Sequence, residues 1–346
     1  MRAVVVRRAG GWDRLSVEER PSPPLGAGEL RIAVRAAGVN FADVAVRMGL
    51  YSSAKKYVGW PITPGFEVAG RVREVGPGVE DVAIGDEVMA VTRFGGYASE
   101  VVVPRHQAWP LPAALDLFQA AGFPAVALTA YFALFELAHP RAGDTLLVHS
   151  AAGGVGSMLV QLGKLAGCTV VGVVRGAHKV EAARSLGADA VIDKGAADLW
   201  REARRLAPHG YDVILDANGV ETLAASYAHL GSPGRLVVYG FATMLPRGGG
   251  VGRPSFPKLA WDWLRTPRFD PLDMTTHNRS VLAFNLSYLF ERHELLAEGM
   301  TKLVGRVEAG ALRAPPVTRF PLERVAEAHR ALESGTTVGK LVLELS

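Results

Sequence analysis

The chain has 346 residues, of which 49% are hydrophobic and 21% are charged, so it can bury sizeable cores. This length is typical of two domains. The formal net charge is +4 and the basic residues are scattered, which argues against a nucleic-acid or membrane-surface role. The single cysteine, Cys168, excludes an internal disulfide and a cysteine-cluster zinc lobe. No charged-then-apolar signal peptide opens the chain, so we expect a cytoplasmic protein.

The first 110 residues have the pattern of a β-rich domain. Their apolar runs are short, alternating or β-branched, and glycine and proline clusters such as Pro21–Gly26 separate them. Short strands at this spacing predict a barrel or a sandwich. The runs are Ala3–Val6, Leu30–Val34, Glu67–Val75, Glu87–Val91 and Glu100–Val103.

A longer apolar stretch, Leu117–Ala138, follows this domain and is long enough to suggest a membrane span. Gln119, Thr129 and Glu136 interrupt it with polar groups, and Pro124 breaks it in two. We therefore expect two short buried helices in this stretch and no transmembrane segment.

An apolar strand that begins at Leu146 runs directly into a glycine-rich turn that reads Ser150-x-x-Gly153-x-x-Gly156. A helical run and a second strand, Thr169–Val174, complete a unit of about 30 residues, the size of a dinucleotide-binding βαβ unit. Gly153 lets the backbone approach a pyrophosphate, Gly156 lets the helix pack closely on the strand, and the N–H groups at the helix start face the anion. The residues predicted to bind the cofactor here are Ser150, Ala151, Gly153, Gly154, Val155 and Gly156.

The end of the second strand indicates which dinucleotide is bound. NAD-preferring sites place an aspartate or glutamate there to hold the ribose 2′-hydroxyl. This chain instead has Arg175, with Lys179 one helical turn later and Lys194 after the next short strand. An arginine can pair with a 2′-phosphate through two hydrogen bonds, so we expect NADPH rather than NADH. The alternative is that these residues are three solvated surface cations.

The alternation of strands and helices continues towards residue 288 and predicts a doubly wound parallel sheet, and therefore an α/β fold class. Asn218, Gly240 and Phe241 fall at the ends of the fourth and fifth strands, the edge at which such sheets present ligands. Ser280–Tyr288 is predicted as the sixth strand. The other predicted elements are strands Ala190–Ile192, Val213–Leu215 and Leu236–Tyr239 and helices Lys179–Leu186, Leu199–Leu206 and Thr222–Leu230.

One connection, Met244–Arg279, is too long to be ordinary and is rich in glycine, proline and tryptophan. We interpret it as an insertion with one short helix around Phe256–Leu264. The tail after it is predicted to form a strand, a helix and a last strand, over Val317–Phe320, Leu322–Glu333 and Lys340–Leu345.

Six motifs lie along the chain, at Ala36–Asp43, Pro64–Gly70, Val75–Val79, Gly85–Val88, Ala127–Tyr131 and the Ser150–Gly156 loop. Together they resemble the medium-chain dehydrogenase/reductase superfamily over nearly the whole chain. The resemblance implies a GroES-like β-barrel catalytic domain, residues 1–123, that the tail, 289–346, completes. It also implies a Rossmann domain, 124–288, that carries the insertion 244–279.

Two positions in these motifs separate the branches of the superfamily. Zinc alcohol dehydrogenases have a cysteine ligand where this chain has Asn40 and a histidine ligand where it has Phe66. Asparagine and phenylalanine cannot complete a tetrahedral zinc site of nitrogen and sulfur ligands. The chain therefore resembles the zinc-independent quinone oxidoreductase (zeta-crystallin-like) branch, and no metal is expected.

Within that branch the chain resembles the synaptic-vesicle amine-transport-protein homologues. The resemblance rests on Val238–Phe241, on the tryptophan-bearing insertion and on Phe284–Tyr288. The chain departs from the quinone reductases at Ala45 and Lys194, where they often have tyrosine, and in the insertion itself.

The resemblance implies hydride transfer to a quinone or to the β-carbon of an enone, with hydrogen-bond donors on the oxygen that gains charge. Asn40 is a candidate to orient the ribose or a substrate oxygen, and Tyr51 is a candidate donor to the enolate. The alternatives are a turn residue that ends a strand and a packed loop aromatic, respectively. Thr129, Phe284 and Leu286 resemble family residues around the nicotinamide; the alternative for Thr129 is a bond to its own helix.

We therefore expect an NADPH-dependent reductase of quinones or α,β-unsaturated carbonyl compounds. The alternative is an NADPH-binding scaffold or membrane-associated protein with little turnover. A homodimer is also expected, because the sixth strand is an apolar edge whose pairing with a second copy would bury Val281, Ala283 and Phe284. His149, just before the glycine-rich turn, is expected to be a core histidine rather than a base.

Overall fold

The computed structural model describes residues 1–244 and 255–345, and the backbone packing divides them into two compact units. Unit 1 contains residues 1–128 and 287–345, and unit 2 contains residues 129–244 and 255–286. The chain therefore leaves unit 1, builds unit 2 and returns to unit 1.

The first part of the chain forms the short strands that its alternating pattern predicted. In chain order the strands are β1 (Arg2–Val5), β2 (Ser16–Glu19), β3 (Glu29–Val39), β4 (Glu67–Val75), β5 (Glu87–Val91), β6 (Glu100–Pro104) and β7 (Ala108–Pro110). The helices are α1 (Phe41–Arg47), α2 (Ser52–Tyr57), α3 (Leu117–Ala121) and α4 (Pro124–Tyr131), and a π-helical segment, Phe132–Ala138, continues α4.

The second part alternates strand and helix before the chain returns to unit 1. Its elements are β8 (Thr145–His149), α5 (Gly154–Leu165), β9 (Thr169–Val174), α6 (His178–Ser185), β10 (Ala190–Asp193), α7 (Leu199–Leu206), β11 (Tyr211–Asp216), α8 (Leu223–Ala228) and β12 (Leu230–Val238). The later elements are α9 (Phe256–Arg265), α10 (Pro271–Thr276), β13 (Arg279–Ala283), α11 (His293–Glu308), β14 (Val317–Pro321), α12 (Val325–Ser334) and β15 (Lys340–Glu344). Short 3₁₀ turns lie at Trp12–Arg14, Arg105–Gln107, Ala242–Met244, Leu286–Tyr288 and Leu322–Arg324.

Unit 1 is built around the long strand β3. Its main sheet has the order β14-β15-β3-β4-β5-β7, and β6 also pairs with β3. Strands β15, β4 and β6 all run antiparallel to β3, with Leu341 opposite Val39 and Val68 opposite Ala37. Because β15 belongs to the C-terminal tail, both ends of the sequence contribute to one β-rich core.

Unit 2 contains a six-stranded parallel sheet in the order β10-β9-β8-β11-β12-β13. This is the doubly wound arrangement that the sequence predicted, and it confirms the α/β fold class. Leu146, Leu147 and Val148 of β8 are fully buried, which explains why this strand is a continuous apolar run. The loops after β8, β9, β11 and β12 all lie at the carboxyl edge of the sheet.

The predicted sixth strand is too long. Strand β13 ends at Ala283 instead of Tyr288, and a 3₁₀ turn follows it. In the described sheet, strand β13 pairs only with β12, and β12 ends at Val238, which is the partner of Ala283. Beyond Ala283 there is no strand residue of β12 with which the described chain can pair. Phe284 and Leu286 therefore lie past the strand and not on it.

The insertion contains a second helix that the sequence analysis missed. Helix α10 begins at Pro271, directly after Asp270, whose Oδ1 accepts the N–H of Leu272 at 2.9 Å. Aspartate followed by proline is a helix-start signal, so the pattern was present in the sequence. Helix α9 forms where the single helix was predicted, and residues 245–254 of the insertion lie outside the described residues.

The apolar stretch Leu117–Ala138 forms three helical segments where two were predicted. Asp116 begins α3, because its Oδ1 accepts the N–H groups of Phe118 and Gln119 at 2.8 Å. Within residues 1–244 and 255–345, no helix is long and apolar enough to cross a membrane.

Candidate active site

The glycine-rich loop joins β8 to α5 through a turn that needs its small residues. Ser150 has a left-handed backbone, with a φ of 55°, and Gly153 precedes α5 in an extended conformation. A Cβ atom at Gly156 would collide with the carbonyl oxygen of Ser150, so only glycine fits there. The N–H groups of the first helical turn have no partner within the helix, so this helix start can hold an anion.

Asn218 lies beside this loop, in the turn after β11. Its Oδ1 accepts the hydroxyl of Ser150 at 3.3 Å, and the buried carboxylate of Asp216 accepts its backbone N–H at 2.8 Å. Asn218 is 3% exposed, and its Nδ2 has no hydrogen-bond partner among the described residues. A buried donor without a partner costs about 1–3 kcal/mol, so Nδ2 is available to donate a hydrogen bond to a group beside the loop.

His149 is confirmed as a core histidine. It is fully buried, and its Nε2 lies 3.1 Å from the hydroxyl oxygen of Ser226, which donates to Asp216 at 2.9 Å. Burial lowers the pKa of His149, and Asp216 opposes this change. Asp216 also accepts the hydroxyl of Thr222 at 2.7 Å, so it holds the turn that carries Asn218. The sequence analysis did not single out Asp216.

A carboxylate that the sequence analysis missed lies close to Arg175. Arg175 directly follows β9 and is exposed, as predicted from the end of that strand. Asp193 ends the neighbouring strand β10, and its Oδ1 accepts the N–H groups of Gly176 and Gly195 at 2.8 Å. These backbone bonds and, to a lesser extent, Arg175 hold the pKa of Asp193 below its usual value. Asp193 is the partner of Val174 in the sheet, and Arg175 follows Val174, so the sheet pairing brings Asp193 and Arg175 together.

Two further cations lie in the same region of unit 2. Lys179 is half-buried in the first turn of α6, and burial lowers its pKa. Lys194 follows β10 and is half-buried, and its backbone N–H donates to the carbonyl of Val174 at 3.0 Å. Arg175 and Lys194 thus lie beyond the ends of two neighbouring strands.

Gly240 and Phe241 follow β12 at the same edge of the sheet. The backbone at Gly219 has a φ of 88°, and a Cβ atom there would lie 2.8 Å from the ring of Phe241. Phe241 therefore covers the turn that carries Asn218, while 45% of its own surface stays exposed. The ends of β11 and β12 meet, as the parallel sheet requires.

The other predicted cofactor residues of unit 2 lie after β13 or on α4. Phe284 packs against Phe132, with ring centroids 4.7 Å apart. Leu286 is half-buried in the 3₁₀ turn after β13. Thr129 lies within a helix, α4, as predicted, and it is half-buried.

In unit 1, Asn40 lies between the end of β3 and the start of α1. Its backbone N–H donates to Oδ2 of Asp43 at 2.8 Å, and Oδ1 of Asp43 accepts the N–H of Gly65 at 2.7 Å. Asp43 is fully buried, and burial raises its pKa to about 7. The aspartate thus ties together the two segments that carry Asn40 and Phe66.

The side chain of Asn40 belongs to a charged cluster that the sequence analysis missed. Its Nδ2 donates to Oε1 of Glu67 at 3.0 Å, and Nζ of Lys340 donates to its Oδ1. Lys340 and Glu67 form an ion pair at 2.6 Å, and Oε2 of Glu67 accepts the N–H of Ala125 at 2.8 Å. Asn40 therefore follows the end of a strand, in agreement with the alternative of a turn residue. Its side chain is also hydrogen-bonded through both the oxygen and the nitrogen of its amide.

Tyr51 lies in a separate, aromatic cluster of unit 1. Its ring meets the rings of Phe66 and Phe94 edge-on, with centroids 5.6 and 6.3 Å apart. Tyr51 is half-buried, so it is a packed aromatic whose surface still reaches solvent. In the described part of the chain, no three His, Cys, Asp or Glu side chains are grouped to hold a metal ion.

Comparison with known proteins identifies the family. The family model described as "Alcohol dehydrogenase GroES-like domain" matches residues 26–113, and the one described as "Zinc-binding dehydrogenase" matches residues 186–343. The human synaptic vesicle membrane protein VAT-1 homolog is 34% identical over 345 residues, which are 99% of this chain and 86% of that protein. The chain belongs to the medium-chain dehydrogenase/reductase superfamily. Its unit 1 and unit 2 are thus the GroES-like and Rossmann parts of that superfamily.

Two other members of the superfamily are similar over nearly their whole length. The 2-haloacrylate reductase of a Burkholderia species is 33% identical over 347 residues, covering 99% of this chain and 98% of that protein. The structure of Escherichia coli quinone oxidoreductase complexed with NADPH superimposes with a TM-score of 0.86. It is 26% identical, and each chain is covered completely.

We expect the purified protein to contain no stoichiometric zinc. Asn40 is held by Glu67 and Lys340, and Phe66 packs against Tyr51, so neither position offers a nitrogen or sulfur ligand. Elemental analysis of protein purified without chelator measures this. One zinc per chain, removed together with activity by a chelator, would contradict the expectation.

Proposed function

We propose that this chain is a cytoplasmic, NADPH-dependent reductase of quinones or α,β-unsaturated carbonyl compounds that transfers hydride without zinc. The observation that carries the proposal is the aromatic cluster of Tyr51, Phe66 and Phe94. Phe66 occupies a position at which zinc-dependent members have a ligand, and its ring centroid lies 5.1 Å from that of Phe94. Phe66 and Phe94 are 6% and 4% exposed and Tyr51 is half-buried, so Tyr51 is the member of the cluster that a substrate can reach. An aromatic ring there favours a flat, conjugated substrate.

The names of two relatives support this substrate class. One is called a 2-haloacrylate reductase and the other a quinone oxidoreductase. Acrylates, quinones and enones share a carbon–carbon double bond conjugated to a carbonyl group. The shared feature lets charge from an added hydride spread onto oxygen, which removes the need for a metal to polarise the carbonyl.

The residues of unit 2 fit NADPH. The unpartnered Nδ2 of Asn218 supplies a donor, the helix start at Gly154 can hold the pyrophosphate, and Arg175 supplies charge for a 2′-phosphate. Lys179 and Lys194 add positive charge nearby. When bound, NADPH supplies the hydride. The related quinone oxidoreductase was crystallised with NADPH, which supports this assignment.

Two side chains of unit 1 are proposed to act on the substrate. Asn40 donates one amide hydrogen to Glu67 and carries a second, which can hold the substrate oxygen as negative charge develops there. The hydroxyl of Tyr51 supplies the proton that completes the reduction. The net change is then one hydride and one proton added across the conjugated system.

NADPH is expected to bind at least about tenfold more tightly than NADH, and Arg175→Asp is expected to remove most of this preference. A hydrogen bond to a charged group contributes about 1.5–3 kcal/mol, and a tenfold difference corresponds to about 1.4 kcal/mol. Titration of cofactor fluorescence measures both affinities. Arg184→Asp, at an exposed arginine of α6, is the matched control. Equal affinities in the unmutated protein would refute the assignment.

The unmutated protein is expected to oxidise NADPH in the presence of a panel of small quinones and enones. Tyr51→Phe is expected to lower kcat by at least about tenfold, because the variant lacks the proton donor. Tyr57→Phe, which also removes a hydroxyl from a half-buried ring of unit 1, is the matched control. Equal rates for Tyr51→Phe and the unmutated protein would remove Tyr51 from the mechanism.

A second candidate function is favoured by helix α9, which presents its apolar face to solvent. Trp261 and Trp263 are 59% and 65% exposed, whereas Asp262 is only 8% exposed. Asp262 pairs with Lys258, whose Nζ also donates to the carbonyl of Thr243 at 2.7 Å. The polar face thus attaches α9 to the segment that contains Thr243. Exposed tryptophans of this kind mark an interaction surface. This favours an NADPH-binding scaffold or membrane-associated protein with little turnover.

Flotation with vesicles that contain phosphatidylserine separates the two functions. If the second function holds, the protein floats with the vesicles, Trp261→Ser with Trp263→Ser abolishes flotation, and NADPH is not oxidised. Trp60→Ser, at an exposed tryptophan of unit 1, is the control and leaves flotation unchanged. Turnover of a quinone or enone without flotation decides for the reductase.

We also propose a homodimer that forms through β13. This strand is the outer strand of the described sheet and is paired with β12, so its other backbone edge is open to a second copy. Val281→Lys with Ala283→Glu is expected to give monomers, because two charges would be placed on that edge. Light scattering at micromolar concentration measures the mass, and a monomeric unmutated protein would rule out the dimer.

A further inference from the structure

The charged cluster around Asn40 is assembled by the strand order of unit 1. Strand β3 ends at Val39, and its two neighbours β4 and β15 begin with Glu67 and Lys340. The register places Leu341 opposite Val39, so Lys340 lies beside the end of β3. Three polar residues from distant parts of the sequence therefore meet at one end of three adjacent strands.

The ion pair of this cluster is buried, and two glycines make room for it. The side chain of Glu67 is fully buried and that of Lys340 is 3% exposed. A Cβ atom at Gly38 would collide with Oε1 of Glu67, and one at Gly122 would lie 2.6 Å from Cγ of Lys340. The backbone is thus shaped around an ion pair that burial alone disfavours.

The chemistry of the two charged groups fixes the orientation of the Asn40 amide. A lysine ammonium only donates hydrogen bonds, so the atom of Asn40 that faces Lys340 must be the carbonyl oxygen. An ionised carboxylate only accepts, so the atom that faces Glu67 must be the nitrogen. The amide oxygen and nitrogen have nearly the same shape, so the two orientations of Asn40 differ mainly in their hydrogen bonds. The ion pair therefore selects one of the two orientations.

We propose that Lys340 and Glu67 are positioning residues that set the polarity of the Asn40 amide, so that its second N–H, and not its oxygen, is presented to the substrate oxygen. This inference rests on the proposed function, in which that N–H stabilises developing negative charge. A reversed amide would present a carbonyl oxygen instead, and two negative oxygens repel. A buried ion pair contributes little net stability, because desolvation of the two charges offsets their attraction. The orientation of Asn40 therefore gives this pair a functional role.

Lys340→Met tests the proposal, because it removes both the donor to the oxygen of Asn40 and the counter-charge of Glu67. A buried carboxylate without a cation neutralises by taking up a proton, and a carboxylic acid donates as well as accepts, so both amide orientations become accessible. Lys340→Arg keeps a cation at the same place and is the rescue variant. Arg235→Met is the matched control, since it breaks a half-buried ion pair of unit 2, with Asp144 at 2.8 Å. Thermal unfolding of each variant shows that it is folded before any other comparison.

The first readout is the amide itself and needs no turnover. Asparagine labelled with ¹⁵N in its side chain marks only four groups, at Asn40, Asn218, Asn278 and Asn285. Loss of one signal pair in Asn40→Ser assigns Asn40. We expect one of its two protons to be shifted downfield by the carboxylate of Glu67, the shift to be lost in Lys340→Met, and Lys340→Arg and Arg235→Met to retain it. Unchanged Asn40 signals in Lys340→Met would overturn the proposal.

The second readout separates positioning from binding. Lys340→Met is expected to lower kcat by about 100-fold, as loss of a transition-state donor does, while the Kd for NADPH changes by less than about threefold. Lys340→Arg restores most of kcat. A Lys340→Met variant with unchanged kcat would also overturn the proposal. If the unmutated protein reduces no quinone or enone, the proposed function fails, and the amide signals alone decide whether the ion pair orients Asn40.

Discussion

The buried ion pair between Glu67 and Lys340 is the interaction on which the arrangement of unit 1 depends. The two residues begin the strands on either side of β3, and their side chains meet across its end at 2.6 Å. Neither charge reaches water, so each requires the other, and removal of one leaves an uncompensated buried charge. The pair thus joins the C-terminal tail to the N-terminal strands and surrounds Asn40 with opposite charges.

Unit 2 differs at its candidate site, because a buried donor there has no hydrogen-bond partner among the described residues. Asp216 accepts two backbone N–H groups and two hydroxyls, and through them it fixes the turn that carries Asn218. The Nδ2 of Asn218 has no partner among the described residues, and the first turn of α5 offers its N–H groups. In unit 1 the buried charges are paired with each other, which suits residues that position Asn40. In unit 2 a buried donor has no partner among the described residues, which suits a site that binds a ligand.

Much of the fold follows from local sequence patterns. Strand β9 and helix α7 have the predicted bounds, and the glycine-rich loop lies where the spacing of Gly153 and Gly156 predicted. These elements are decided by periodicity and by close backbone contacts that only glycine permits. The predicted end of the sixth strand was wrong, because β13 stops where its neighbour β12 stops, at Val238. The sequence of a strand does not indicate how long its neighbour is.

The candidate site was predicted less completely, for a physical reason. Asn40 stood out through the family resemblance and Asn218 because it follows a strand, but their charged partners come from parts of the chain that only the fold brings near. Glu67 looked like one residue of a family motif, Lys340 like the start of a last strand, and Asp193 like the end of a short one. Strand order is a tertiary property, so hydrophobic periodicity does not reveal these pairings.

Isotope transfer tests the central claim, hydride delivery to a conjugated substrate, most directly. The protein is incubated with an enone and NADPH that carries deuterium at the nicotinamide C4, and the product is examined by NMR. The account predicts a saturated ketone with the deuterium on its β-carbon, because the charge then spreads to an oxygen that donors can hold. An allylic alcohol with deuterium on the carbonyl carbon, or no transfer to any enone or quinone, would contradict it.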